Sequence, residues 1–321
     1  MLQNGHAIKR KDLGVINVEA GGPKISDVLT RDELRRFSKA NNVRALSTLM
    51  LNWGVIVGAF ALAIALPNPI TILLAIVLLG GRQLGLGVIM HDCAHHAFFA
   101  NKLANDTVGH WLCGGPINAS VYAYRDYHLK HHRFAGTADD PDRWFVAKYP
   151  VEKASLRRKL MRDLTGRTGV RDLLVSLKTF SLRKNAPWIS FHLVLIGVLS
   201  TLGALWAYSL WWIAFLCVYP ALTRIRQIGE HGVAINRDSL NPRENTSTTL
   251  ASWWERIFIS PNNVGFHLEH HQFASVPPYN LPKLHALLKS RGFYDRHQCI
   301  SNGCLDVLRR AVRTDEVAIA A

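Results

Sequence analysis

The chain has 321 residues, is 49% hydrophobic and yet carries a formal net charge of +15. That pairing excludes an ordinary soluble domain with charges scattered over one surface, because so much apolar side chain beside so much charge must be segregated along the sequence. It excludes a disulfide scaffold too: the five cysteines, Cys93, Cys113, Cys217, Cys299 and Cys304, form no C-x-x-C pair and suit a reducing, cytoplasmic setting.

Taken in chain order, residues 1–45 are polar and basic and carry no cleavable leader, so they read as a cytoplasmic N-terminal segment. Leu46 to Leu66, "LSTLMLNWGVIVGAFALAIAL", has no charged residue and is long enough to cross the roughly 30 Å hydrocarbon layer as a helix. "PNP" at 67–69 breaks it, and a second apolar run from Ile70 to about Met90 is interrupted only by Arg82 and Gln83. A third run, Ile189 to Tyr208, and a fourth, Leu210 to about Leu222, are parted by an equally short turn, near which Trp206, Tyr208, Trp211 and Trp212 suggest an interfacial aromatic belt. Short links force antiparallel neighbours, so two helical hairpins are predicted.

Lysine and arginine agree with this layout. Nine precede the first run, sixteen lie between Lys102 and Lys184, and twelve follow from Arg224 onward, leaving Arg82 alone inside an apolar run. By the positive-inside rule both termini and the central loop are cytoplasmic. The expected fold is all-α: a membrane protein with four transmembrane helices in two hairpins plus a cytoplasmic helical cap. Lys153 to Leu164 and Val170 to Phe180 place leucines at helical spacing among cations, as helices at an anionic lipid interface do. No nucleic-acid-binding fingerprint accompanies the positive charge. Gly109 to His128 is too short to span and reads as a re-entrant segment or a buried loop.

Ten of the fifteen histidines sit in four places: "HDCAHH" (His91, His95, His96), "HLKHH" (His128, His131, His132), "GEHG" (His231) and "HLEHH" (His267, His270, His271). On a helix, positions i, i+3 and i+4 share one face, so each five-residue box aims three imidazoles at one point. His91 and His95 pair likewise, whereas His96 is turned about 100° further round and is the least suited as a ligand. All four clusters fall on the predicted cytoplasmic side, at span ends or beyond. A single zinc needs three or four ligands, so this many imidazoles imply two metals, and the absence of thiolates from the boxes favours a pair of irons. The isolated His6, His110, His192, His285 and His297 read as structural residues.

These boxes, together with "NVGFHLEHHQFASVPPYNLP", resemble the three histidine boxes of the integral membrane fatty acid desaturase superfamily, which also includes hydroxylases and carotenoid-modifying oxygenases. The resemblance divides the chain into the N-terminal segment 1–45, a membrane and di-iron domain 46–288 and a cytoplasmic tail 289–321. It implies a di-iron centre that uses O2, with electrons from a ferredoxin or cytochrome b5 type of donor, held by His91, His95, His128, His131, His132, His231, His267, His270 and His271. Gln227 stands where some relatives place a polar residue near the metal.

A metal-bound imidazole usually donates its other N–H to a carboxylate or carbonyl, which nominates Asp92, Asp126, Asp139, Asp140, Glu230 and Glu269, with His96 and Asn263 as further supports. The function implied is a fatty acyl or lipid desaturase forming a carbon–carbon double bond on a substrate from the bilayer, at a bacterial plasma membrane rather than the endoplasmic reticulum. A hydroxylase or ketolase on a lipid or carotenoid is the near alternative. An intramembrane zinc protease would need Glu where Asp92 stands, and a metal transporter would need ionisable residues deep within the spans.

Overall fold

A computed structural model describes residues 24–295 and 297–313, which are mostly helical. His6 and the rest of residues 1–23, and the tail 314–321, lie outside the described residues. Helix α1 (Asn42–Ala65) has 24 residues, about 36 Å, and its first turn is capped by Asn41 Oδ1, which accepts from the Arg44 N–H at 3.0 Å. The "PNP" break ends α1 and starts α2 (Pro69–Ala94): Asn68 Oδ1 accepts from the N–H groups of Ile70 and Thr71, and Pro69 occupies the first helical position, where a missing N–H costs nothing. From Leu79 to Ala94 every α2 residue except Gly87 is buried, so α2 is the central post of the bundle.

The stretch read as a re-entrant segment or loop is helical: a π-helical turn, Val108–Gly114, followed by a 3-10 turn, Gly115–Ile117. Helix α3 (Val121–Phe134) carries the second histidine box. The two amphipathic stretches form α4 (Lys153–Leu164) and α5 (Arg167–Leu177), which expose Met161, Leu164, Leu174 and Val175 among their cations.

The second hairpin departs from the expected boundaries. Helix α6 (Ala186–Thr201) has only 16 residues, about 24 Å, and the turn falls at 202–204 rather than at Ser209. Gly203 is the reason: it takes the left-handed conformation (φ 65°), and the Ala204 N–H reaches back to the Leu199 carbonyl at 2.8 Å, closing a Schellman motif. The following helix, α7, is correspondingly longer, Leu205–Gly232 with 28 residues, and includes π-helical turns at Ala214–Val218 and Ile228–Gly232. Thus α1, α2 and α7 are long and apolar enough to cross a membrane, and α6 is apolar but short. Of the four aromatics read as an interfacial belt, Trp206 is exposed, Tyr208 and Trp212 are half-buried, and Trp211 is core, packed on Phe191 at 4.7 Å; the Tyr208 hydroxyl bonds His192 Nδ1 at 2.9 Å.

Beyond α7 come β1 (Thr248–Thr249), α8 (Trp253–Phe258), α9 (His267–Gln272) with the third box, α10 (Leu281–Ser290), β2 (Ile300–Ser301) and α11 (Cys304–Arg310). Strands β1 and β2 pair in parallel, and Val151 bridges Val312 in the same sense, small exceptions to the all-α expectation. The largest apolar core joins α1, α2 and α7 through Leu49, Ile56, Phe60, Leu79, Leu86 and Trp211, and a second one backs the third box with Leu268, Leu284, Leu288 and Phe293. All five cysteines are free.

Candidate metal centre

Four helix segments deliver the box histidines: the end of α2, the length of α3, the π-helical end of α7, and α9. Their rings fall into two groups, one of His91, His95, His128, His132 and His270, the other of His131, His231, His267 and His271; within each, one nitrogen per ring lies within 4.8 Å of all the others. The i, i+3, i+4 spacing explains the pooling, but neither five-residue box serves one group alone. His131 leaves His128 and His132, and His270 leaves His267 and His271, so the boxes interlock.

The contacts inside the two groups, and most clearly in the group of four, are those of nitrogens aimed at a common point that a cation could occupy. His131 Nδ1 faces Asp140 Oδ1 at 2.7 Å and His231 Nδ1 donates to the Asn245 carbonyl at 2.9 Å, while His267 Nδ1 lies 3.3 Å from Glu230 Oε1. With Nδ1 carrying the proton, each Nε2 is a bare lone pair. Yet His231 Nε2 stands 2.9 Å from His267 Nε2 and 3.2 Å from His131 Nε2, and His131 Nε2 stands 3.2 Å from His271 Nε2. Lone pairs converging at that range repel one another unless a positive ion sits among them. In the other group, His132 Nε2 is 3.0 Å from His128 Nε2 and 3.1 Å from His270 Nε2, and the buried Nε2 atoms of His91 and His95 have no hydrogen-bond partner among the described residues. Nine imidazole nitrogens without a thiolate form a donor set that suits a transition metal, iron among them.

Burial, reinforced by neighbouring imidazoles, drives His128, His132, His267, His270 and His271 well below the ordinary histidine pKa, and burial takes His95 to about 3. These rings are therefore neutral, the form that binds metal. At His131 burial also lowers the pKa, but the Asp140 hydrogen bond and the Asp142 and Asp140 charges outweigh it and the shift is upward; a field that favours a proton there favours any cation.

The supporting candidates distribute unevenly. Asp92 bonds His91 Nδ1 at 2.8 Å, Asp140 holds His131, and Glu230 lies between His267 and Arg226, whose Nε is 2.5 Å from it. Glu269 touches none of the nine rings; it is fully buried and accepts from Thr248 Oγ1 at 2.6 Å, His285 Nδ1 at 2.5 Å and the Tyr294 hydroxyl, which ties the third box to its surroundings. His96 belongs to neither group: it takes a left-handed backbone (φ 54°) and bonds Asp106 at 2.9 Å. Asn263, also left-handed (φ 61°), donates to the Pro278 carbonyl at 3.2 Å and shapes a turn. Gln227 makes no hydrogen bond to the nine rings, and Asp126 and Asp139 are exposed.

Three contributors escaped the sequence reading. Tyr124, one turn before His128, stacks on its ring at 5.0 Å, a partner that helical spacing could have revealed. Arg125 donates to the Ala94 carbonyl at 2.7 Å and pairs with Asp106, clamping α3 onto the end of α2. Asn245 acts through its backbone carbonyl, which leaves no sequence signal.

A sequence model of the fatty acid desaturase family matches residues 67–299. Among characterised proteins the chain is 24% identical to an sn-1 oleoyl-lipid 12-desaturase of Picosynechococcus sp. over 279 residues, 79% of each chain. It is 27% identical to a dihydrorhizobitoxine desaturase of Bradyrhizobium elkanii over 65% of each chain. With an sn-1 acyl-lipid omega-3 desaturase (ferredoxin) of Nostoc sp. it shares 23% identity over 64% of this chain and 63% of the relative.

Proposed function

Because the chain belongs to the fatty acid desaturase family, we propose that it is a membrane oxidoreductase that desaturates an acyl chain of a lipid, consuming one O2 and two external electrons. The observation that carries this reading is the pair of imidazole groups with converging lone pairs. His91, His95, His128, His132 and His270 would hold one iron, and His131, His231, His267 and His271 the other. What two irons supply when bound is an O2-derived oxidant strong enough to take hydrogen from an unactivated C–H bond, chemistry beyond any side chain. The balance is closed: adjacent CH2 groups lose two hydrogens to give a cis or trans alkene, and O2 with two electrons and two solvent protons leaves as two waters.

The chain's own residues supply position and field. Asp140, Glu230, Asp92 and the Asn245 carbonyl fix the Nδ1–H of four rings and so aim each Nε2. Burial of most of the rings keeps bulk water from the reacting atoms. The substrate, being apolar, enters from the bilayer. We read α1 with α2 and α6 with α7 as two hairpins of a four-span domain at 46–288, capped on the cytoplasmic side and flanked by cytoplasmic segments 1–45 and 289–321. A bacterial plasma membrane suits this reading, as does a separate electron donor; the Nostoc relative names ferredoxin, and cytochrome b5 is the other donor type.

Two measurements test it. Purified chain should contain two irons, and lipids from cells expressing it should include a species lighter by two hydrogens that disappears in the double variant His131→Ala, His270→Ala, which takes one ligand from each group. A species heavier by one oxygen would mean hydroxylation instead, and a product that survives the double variant would overturn the assignment of the site.

A further inference from the structure

Arg82, the one cation inside an apolar run, has no part in the metal centre, yet it is buried at 4% exposure. A membrane-buried arginine needs a partner. Its partners are backbone carbonyls 174 and 175 residues away: Nη2 donates to the Arg256 oxygen at 3.2 Å and to the Ile257 oxygen, and Nη1 reaches Asn52 Oδ1 at 3.5 Å. These are the open carbonyls at the end of α8, where a cation is stabilising.

The segment returns along α2 in register. Phe258 lies against Gly81, where a Cβ would stand 2.6 Å from its carbonyl oxygen. Asn262 Nδ2 donates to the Gly85 carbonyl at 2.9 Å, and its Oδ1 accepts from Asn52 Nδ2 at 2.9 Å. Val264 packs with Leu84 and Val88, and α9 then brings His270 to His91, ring centres 4.4 Å apart. Counting back from His91, Arg82 is nine residues, about 13 Å, further along α2. Counting from the outer end of α1 at Ala65, about 20 residues of hydrocarbon depth reach Ala45, so Asn52 lies about 10 Å inside that boundary.

We propose that residues 252–264 are a re-entrant segment that dips into the bilayer beside α2, and that Arg82 is a positioning residue that sets its depth and hence the place of the third histidine box. Trp253 (76% exposed), Trp254 and Ile257 then face lipid. The left-handed residues Asn262 and Asn263 (φ 56° and 61°) are tolerable at that depth because Gly85, Asn52 and the Pro278 carbonyl satisfy their side chains within the protein. The inference rests on the proposed reading that α1 and α2 span the bilayer.

The test uses the full chain in lipid nanodiscs, where both faces meet solvent. Ile257 and Leu240 are similarly exposed by the protein, 38% and 45%, so a charged maleimide should distinguish them only if lipid covers one. Leu240→Cys should react, and Ile257→Cys should react at least about tenfold more slowly until the disc is dissolved. Arg82→Gln or Gly81→Ala should remove that protection and lower bound iron per chain, Arg82→Lys should restore part of it, and Gly54→Ala, whose Cβ meets nothing within 4 Å, should change neither. Equal reactivity of Ile257→Cys and Leu240→Cys in the unaltered chain overturns the proposal, as does Gly81→Ala retaining full iron and full protection. An unaltered chain that binds no iron would instead fail the functional reading and leave the protection result standing.

Discussion

The two histidine groups differ in how their rings are aimed. In the group of four, three rings have Nδ1 set against an oxygen acceptor, from Asp140, Glu230 and the Asn245 carbonyl, and two of those acceptors are carboxylates. Among the described residues, only His91 of the group of five has such a partner, Asp92; His128 has the Tyr124 hydroxyl at 3.4 Å, and the rest are placed by edge-on ring contacts such as His95 with His132 at 4.7 Å. One group is held by two directional hydrogen bonds, one of them to a carboxylate, with a second carboxylate 3.3 Å from His267, and the other largely by packing. Directional bonds to charged acceptors both orient an imidazole and raise its basicity, so the group of four should bind its metal more tightly.

The largest effects break the two sites separately. His132→Ala in the group of five and His271→Ala in the group of four should each reduce iron from two to about one per chain and cut product by at least about 100-fold, since a ligand matters no less than its supporting contact. Chelation of the unaltered chain should then release iron in two phases, the fast phase missing in His132→Ala and the slow one in His271→Ala. A single phase would remove the asymmetry. Next in size are the supporting acids: Asp140→Asn should weaken iron at the group of four by about 10- to 100-fold and leave the other site within error, and Asp92→Asn should do the reverse. Titration of apo protein with Fe(II) reads both.

The asymmetry also marks how far the sequence could be read. The histidine boxes were legible because a helix turns their i, i+3, i+4 spacing directly into a shared face. That the boxes trade members, with His131 and His270 crossing over, depends on how α3 and α9 meet, which no local spacing encodes. Asp92 and Glu230 were visible because they adjoin His91 and His231; Asn245 was not, because the π-helical end of α7 presents His231 to a backbone oxygen. The turn of the second hairpin lies at Gly203 and not between Tyr208 and Leu210 because hydropathy runs straight through this glycine, whose left-handed conformation ends the helix. Arg82 stood out as an anomaly, but its partners are carbonyls, and side chain to backbone contacts leave no pattern to find.

Arg125 tests whether packing alone can hold the looser site. Its guanidinium ties α3 to the Ala94 carbonyl and to Asp106, and Asp106 in turn fixes His96 at the end of α2, so this clamp sets the distance between the first and second boxes. Arg125→Met should cost about 2 kcal/mol in unfolding of the detergent-solubilised chain, as expected for charged hydrogen bonds lost from a part-buried group. Its iron loss should fall on the group of five, which draws on both helices, and Arg125→Lys should recover only part because an ammonium lacks the planar fork.

The smallest effect is the most discriminating. Tyr124 offers His128 a stacked ring at 5.0 Å and 16°, plus a hydroxyl at the long distance of 3.4 Å from Nδ1. If the group of five is placed by packing, Tyr124→Phe, which keeps the ring and removes the hydroxyl, should change stability by about 0.5 kcal/mol and iron affinity by less than about threefold. Tyr124→Leu, which removes the stack, should cost more than Tyr124→Phe in both readouts, because the aromatic contact is worth about 0.5–1.5 kcal/mol beyond its area. Were Tyr124→Phe as damaging as Asp140→Asn, His128 would be aimed by a hydrogen bond after all, and the two metal sites would be built on the same plan.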